Sequence, residues 1–532
     1  MEQKRHPGGL YLLFTTEAAE RFSYYGMQAI LVLYLVAAFF GKAGEPEAAQ
    51  WYGSFTGVLY LTPLIGGYIA GKFLGNRRSI VLGGIIIAVG QFLMFASACT
   101  VHQSIFSEGG VVNTSVDNSL SFALTLLGLL FIVVGNGFFK PSISTMVGDL
   151  YPKGDERTDS AYTIFYSGIN VGSLLAPLIC GYLTRNAGWA DPSAYKWAFL
   201  CAGIAVVIAV LIFMIGKDRL LVGPDGKPVG LASVSKVEDA SEKAPRKGKL
   251  FRILCFALGG GLLFALFAHR AKSVNDYISA AIFSASIVLP LMLISDPELT
   301  RSEKMRIGVV YIIAVFNMVF WAAYEQTGSS LTLICDQQCD RRIGSWTVPT
   351  AWFQSVNPFF IVFLAPVMTS IWKGLSRRGK EPSTPAKQGW GLILLSLGFV
   401  VIACGAKQLG EGELLSLWWL IGLYFIHSLA ELCLSPIGLS MVNKLAPAKF
   451  ATLLMGAWLM SFSVSYVLAG KLAALLPNPA RAPQMLLGFE IATLSDFFIV
   501  FAVMGSVAGM FLFSLCRLLN QMADFEDKQV GA

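Results

Sequence analysis

Long apolar runs alternate with short polar connections along nearly the whole chain. A bilayer core about 30 Å thick needs roughly 20 mostly apolar residues to be crossed as a helix. Fourteen stretches approach or exceed that length: 10–40, 51–72, 79–98, 119–146, 159–184, 197–216, 250–268, 277–294, 307–334, 349–372, 388–407, 414–444, 449–474 and 494–519. One long polar interruption stands out, 217–249, rich in Lys, Glu, Ser and Pro and without periodicity, which reads as a flexible connection. The pattern predicts an all-α polytopic membrane protein laid out as six, two and six helices. Its expected parts are an N-terminal six-helix bundle at 1–216, a linker with an inserted helix pair at 217–306, and a C-terminal six-helix bundle with a short tail at 307–532.

Composition supports this reading. Of 532 residues 55% are apolar and 14% charged, too few charges for the surface of a soluble protein of that size. The first apolar stretch exceeds the roughly 7–15 residues of a signal h-region and carries Glu17, Glu20 and Arg21, so it is expected to be retained as a spanning helix. The net charge of +7 does not indicate nucleic acid, because the basic residues lie in loops between apolar helices. They crowd one set of loops: Arg77 and Arg78, the 217–249 stretch, Arg301 to Arg306, and Lys373 to Lys387. By the positive-inside rule both termini are cytoplasmic, which an even number of spans satisfies. The nine cysteines fall mostly inside apolar helices, as small buried hydrophobes. Cys335 and Cys339 lie in an expected outward loop, where a disulfide is weighed against two free thiols.

Ionisable residues inside the helices carry the chemistry. Each costs about 2.5–3.5 kcal/mol or more at the bilayer centre, so each needs a partner or a wet cavity. They are Glu17, Glu20 and Arg21, Lys140, Glu325 and Glu431. At about 100° per residue Glu17, Glu20, Arg21, Tyr24, Tyr25 and Gln28 share one face about 140° wide, expected to line water or substrate. The plainer alternative is a Glu17–Arg21 pair, four residues apart, that locks helices together. Lys140 is followed by Pro141 and preceded by Gly135-Asn136-Gly137, and Glu431 is its expected partner. Arg21 and Lys140 make a cationic end able to hold a carboxylate, and Glu431 an anionic end able to hold an ammonium. A zwitterion with separated charges fits that arrangement. His427, within a spanning helix, is read as bonded to a neighbouring helix in preference to tuning Glu431.

The stretch Glu17-Ala-Ala-Glu20-Arg21-Phe22-Ser23-Tyr24-Tyr25-Gly26 resembles the ExxERFxYYG signature of the proton-coupled oligopeptide transporter family. The resemblance continues through Phe138-Phe139-Lys140-Pro141, the run from Asp159 to Asn170, Trp321-Ala-Ala-Tyr-Glu325-Gln326, and Glu431-Leu-Cys-Leu-Ser435-Pro436-Ile-Gly438. It implies a major facilitator fold with two extra central helices, as in bacterial members, and a substrate site near the midplane between two six-helix halves. It further implies proton-coupled symport of di- and tripeptides into the cell by alternating access. Proton coupling is expected at Glu17, Glu20, Arg21, Lys140, Glu325 and Glu431. Peptide binding is expected at Arg21, Tyr25, Tyr60, Lys140, Tyr166, Asn170, Asn357, Glu431, Ser435 and Trp458. The expected setting is a bacterial inner membrane, with a monomer as the functional unit, no cofactor or metal, and peptides, protons and lipid as partners.

Three departures qualify the likeness. Many members have arginine at the position of Gln28, so Glu325 lacks its expected partner and is either protonated or bonded to a tyrosine or glutamine. Aspartate is usual where Gly71 stands, so cytoplasmic closure is expected to be held differently. A histidine of animal members is replaced by Gly53, leaving proton traffic to carboxylates. The alternative reading is another small solute, such as nitrate, an amino acid or a drug. A membrane enzyme is disfavoured because one intramembrane histidine offers no catalytic constellation, and a channel because no filter motif appears.

Overall fold

The computed structural model describes residues 6–101, 117–152, 155, 157–188, 191–231, 247–410, 412–447, 451–479 and 481–524. Most of the polar linker, 232–246, lies outside the described residues. The helices are α1 (Gly8–Leu35), α2 (Glu45–Ile69), α3 (Asn76–Thr100), α4 (Ser119–Asp149), α5 (Arg157–Leu183), α6 (Lys196–Leu220), α7 (Lys247–Ala268), α8 (Val274–Ile294), α9 (Arg301–Tyr324), α10 (Ser330–Gln337), α11 (Val356–Arg377), α12 (Thr384–Lys407), α13 (Leu417–Leu445), α14 (Ala451–Ala473) and α15 (Leu494–Ala523). Among the described residues thirteen helical segments are long and apolar enough to cross a membrane. The 23-residue α14 is a further long helix. Three two-stranded ribbons lie in the connections.

Local sequence sets where several helices begin. Ser273, Thr300 and Thr493 each accept a hydrogen bond from the backbone of the residue three on, and Asp276, Glu303 and Asp496 return it. These reciprocal caps satisfy N–H groups that the first helical turn leaves without partners. One expected helix is broken. The 307–334 run leaves α-helix at Glu325, passes through a 3-10 turn at Glu325–Gly328 and resumes as α10. Gln326 supports the break by donating to the carbonyls of Ala322 and Ala469, at 3.0 and 3.1 Å. Such irregular backbone is tolerated at membrane depth only where protein buries it.

Contacts divide the chain into two units. The first comprises Met1–Ala48, Leu61–Ser241 and Arg342–Pro358; the second comprises Ala49–Tyr60, Glu242–Arg341 and Phe359–Ala532. Lipid tails are as apolar as leucine, so helices associate through close packing and polar contacts instead of the hydrophobic effect. In the first unit α3 and α4 meet through glycines: a Cβ on Gly83 would lie 2.6 Å from the carbonyl of Gly135, and one on Gly90 would lie 2.7 Å from that of Gly128. Helices α1 and α5 approach similarly, with a Cβ on Gly172 reaching 2.7 Å from the Ala18 carbonyl. Buried hydroxyls join α1, α3 and α4, where Ser97 Oγ lies 2.7 Å from Tyr34 Oη, 2.6 Å from the Ser121 carbonyl and 2.8 Å from Thr125 Oγ1.

Beside Gly71 the structure supplies a different anchor. Arg77, at the start of α3, donates to the carbonyls of Val229 at 2.5 Å and Leu221 at 2.6 Å, and pairs with Asp218 at 3.0 Å. Its own N–H donates to Gly230, whose φ of +78° favours glycine. The guanidinium thus satisfies the Leu221 carbonyl at the C-terminal end of α6 and, through Val229, holds the start of the linker beside α3.

In the second unit Gly398 brings α12 against His427 of α13, and His427 Nε2 donates to the Leu395 carbonyl at 3.1 Å. That is the interhelical role read from sequence. All nine cysteines are free thiols, so Cys335 and Cys339 are not bonded to each other.

Gly135→Val is expected to lower stability by about 1–3 kcal/mol, because the new side chain must displace α3 backbone. Gly71→Ala, with nothing within 4 Å of the added Cβ, is expected to leave it unchanged. Thermal unfolding of the detergent-solubilised protein compares the two.

Candidate functional site

The ionisable residues inside helices form two clusters, one in each unit. In the first, Glu17, Glu20 and Arg21 of α1 gather beside Asn136 and Lys140 of α4. Arg21 Nε and Nη2 hold the two oxygens of Glu20 at 2.6 and 2.8 Å, and Nη2 also donates to Asn136 Oδ1 at 3.2 Å. Glu17 stands at ion-pair distance, 3.4 Å from Arg21 Nε, yet accepts no hydrogen bond. The Glu17–Arg21 pair therefore exists, but the bidentate partner is the adjacent Glu20.

The face expected to line water or substrate is largely covered. Arg21 is 2% exposed, and Glu17, Glu20, Tyr24 and Gln28 are buried with it, while Tyr25 is half-buried against the edge of Tyr24. The Arg21 guanidinium answers Glu20 directly and draws on the Asn136 amide oxygen, while Glu17 stands beside the pair as a second acid. Arg21 also lies over the Tyr24 ring, 5.1 Å from its centroid.

Lys140 differs. It is half-buried on a spanning helix and, among the described residues, forms no ion pair. It is near enough to feel the charges of Glu17, Glu20 and Arg21. Also in the first unit, Tyr166 is 50% exposed and Asn170 half-buried on α5, with Asn170 Nδ2 donating to the Tyr166 carbonyl at 3.2 Å. Asn357 is half-buried at the start of α11.

The second unit holds the two remaining acids, each on a tyrosine. Tyr324 Oη donates to Glu431 Oε2 at 2.7 Å, and Tyr466 Oη donates to Glu325 Oε1 at 2.8 Å. The partner of Glu325 is thus a tyrosine, one of the alternatives left open by Gln28. Tyr60 stacks on Tyr466 at 5.0 Å between centroids and on Phe462 at 5.7 Å. Gly53 makes that stack reachable, because a Cβ there would lie 2.5 Å from the Tyr466 carbonyl and 3.0 Å from Gly470 Cα. No side chain, and so no histidine, fits at position 53 without separating α2 from α14. Ser435 is half-buried on α13. Trp458 is buried against Gly438, at 2% exposure, and presents little surface to a ligand.

Three residues of these clusters were not singled out from sequence. Asn136 lies one turn before Lys140, a spacing that puts both on one side of α4. Tyr324 directly precedes Glu325. Tyr466 carries no local signal, since only the packing of α14 brings it to Glu325.

Among the described residues no group of His, Cys, Asp and Glu could hold a metal ion.

A family model described as the POT family matches residues 77–486. The chain is 34% identical to the peptide transporter YePEPT of Yersinia enterocolitica, over 90% of this chain and 89% of that one. It is 32% identical to a di-/tripeptide transporter of Lactococcus lactis subsp. cremoris, over 97% of each. A crystal structure of the peptide transporter POT in complex with sulfate matches at TM-score 0.76 and 27% identity, over 98% of this chain and 97% of that one.

Arg21→Met would strand two buried carboxylates, and is expected to cost about 3–5 kcal/mol of stability. Glu20→Gln keeps an acceptor and leaves Glu17 as counter-charge, so about 1–3 kcal/mol is expected. Unfolding curves in one detergent should rank the two variants in that order.

Proposed function

The chain belongs to the POT family, and we propose that it carries di- and tripeptides into the cell together with protons, by alternating access. Its all-α membrane fold is of the major facilitator type. Its setting in this reading is a bacterial inner membrane, with both termini cytoplasmic and a monomer as the working unit.

One observation carries the proposal: Lys140, on a membrane-spanning helix, has no ion-pair partner among the described residues. A half-buried ammonium on a spanning helix calls for an anion, and the carboxylate of a short peptide supplies one. Arg21, committed to Glu20, takes part in the coupling network and lies near the same carboxylate. Glu431, with Asn170 and Asn357, holds the peptide amino end. Tyr25, Tyr60 and Tyr166 offer aromatic and hydroxyl contacts along the peptide, and Ser435 and Trp458 bound the pocket. Glu17, Glu20, Glu325 and Glu431 are the carboxyls that take up and release protons. Protonating one of them frees a cation for the peptide, and release of both ligands resets the network. A gradient of potential contributes about 2.3 kcal/mol per charge per 100 mV.

Proteoliposomes with an alkaline interior should concentrate a labelled dipeptide, and a protonophore should abolish this. Lys140→Ala is expected to lose most of the uptake, since an interaction with a charged group contributes about 1.5–3 kcal/mol, roughly a tenfold to hundredfold change. Glu431→Gln is expected to lose concentrative uptake under the same gradient. Failure of the unaltered, folded protein to take up any di- or tripeptide would sink the assignment.

A further inference from the structure

Glu325 stands where α9 breaks and is 7% exposed. Its hydrogen-bond donor is Tyr466, and among the described residues no cation lies within ion-pair distance of it. The other charged or titratable groups within electrostatic reach are Glu431 of α13, whose charge opposes its own, and Tyr324 of α9, itself engaged with Glu431. A carboxyl removed from water with no counter-ion depends on the donors around it. Here that donor is a single phenol.

The phenol is also connected to Tyr60. The Tyr466 ring is 4% exposed and lies nearly parallel to Tyr60, with 23° between the planes, while Phe462 stacks with Tyr60 at 15°. Seven residues before Tyr60, close to two helical turns, Gly53 packs against the α14 backbone at Tyr466 itself. Close contact at Gly53 thus sets this segment of α2 against α14 beside the Tyr60–Tyr466 stack. A buried tyrosine turns only about χ1 and χ2, and this one is hemmed in by its stack with Tyr60, so a displacement of Tyr60 is carried toward the Tyr466 hydroxyl.

We propose that Tyr466 is the positioning residue of Glu325 and ties that carboxyl to the occupancy of Tyr60. This rests on the transport reading only in that Tyr60 meets the peptide. The protons balance simply. The phenolic hydrogen donates to Oε1 when Glu325 is ionised, and continues to donate when an incoming proton occupies Oε2. Tyr466 keeps its own proton throughout. A ligand that shifts Tyr60 lengthens the 2.8 Å bond and so changes how firmly Glu325 holds its proton.

Tyr466→Phe keeps the ring and its stack and removes only the donor. Infrared difference spectra of the purified full chain follow the carboxyl stretch that Glu325→Gln deletes. That stretch should differ between the unaltered protein and Tyr466→Phe, and a dipeptide should move it in the former but not in the latter. In proteoliposomes Tyr466→Phe should lower gradient-driven dipeptide uptake about tenfold more than dipeptide exchange at equal pH on both sides. An identical stretch in the two proteins overturns the proposal, as does an equal fall in uptake and exchange. If the unaltered protein transports no peptide, the transport reading falls, and the comparison of the stretch still decides whether Tyr466 sets the state of Glu325.

Discussion

Charge held away from water is the constraint on which the rest of this structure depends. Helices of this apolarity offer an ionised side chain no solvent, so every such group must find its compensation inside the protein. Arg21 answers it most completely, with both oxygens of Glu20, the nearby carboxylate of Glu17 and the amide of Asn136 around one guanidinium. The cluster links α1 to α4 through the Arg21–Asn136 hydrogen bond, while α1 packs mainly on α5 and α6. Lys140 lies near the same charges but is left without an ion pair. On two helices far apart in sequence the chain thus carries one cation held by a bidentate ion pair and one that forms no ion pair among the described residues, and the difference is geometry.

The second unit meets the constraint differently. Glu325 is held by a phenol and Glu431 receives another, where the first unit uses a guanidinium. A phenol hydrogen bond is weaker than a bidentate ion pair and does not demand that the acid stay ionised. Glu325, with no cation at ion-pair distance among the described residues, can exchange a proton without leaving a buried cation unpaired. Beside Glu325 the end of α9 is braced by the Gln326 side chain, which donates to the carbonyls of Ala322 and of Ala469 on α14.

Small residues make these arrangements possible. Gly83 with Gly135 and Gly90 with Gly128 let α3 and α4 approach until backbone meets backbone, and Gly53 does the same for α2 and α14. Where such contact is absent, as at Gly71, the structure holds the adjacent segment by charge, through Arg77 and the carbonyls of Leu221 and Val229. Dispersion at short range and hydrogen bonds to carbonyls thus share the work that the hydrophobic effect performs in water.

Most of the long helices were legible from the chain alone, because apolar runs and the positions of the charges within them are local properties and the bilayer requires every spanning segment to satisfy its own backbone. The shared face of Glu17, Glu20 and Arg21 was equally visible, since it needs only the helical repeat. Which atoms those charges choose was not. Periodicity could bring Arg21 near both acids but could not rank Glu20 above Glu17, nor predict that the stripe would be covered. Tyr466 lies 141 residues from Glu325, and Asn136 lies 115 from Arg21. Hydrogen-bond partners are decided over about 3 Å, a scale at which only the packing of separate helices determines what is adjacent to what. Local apolar runs thus marked where the long helices lie and which residues carry charge, because both are properties of short segments; only packing decided where α9 breaks and which charges are answered by which atoms, because those depend on neighbours far away in the chain.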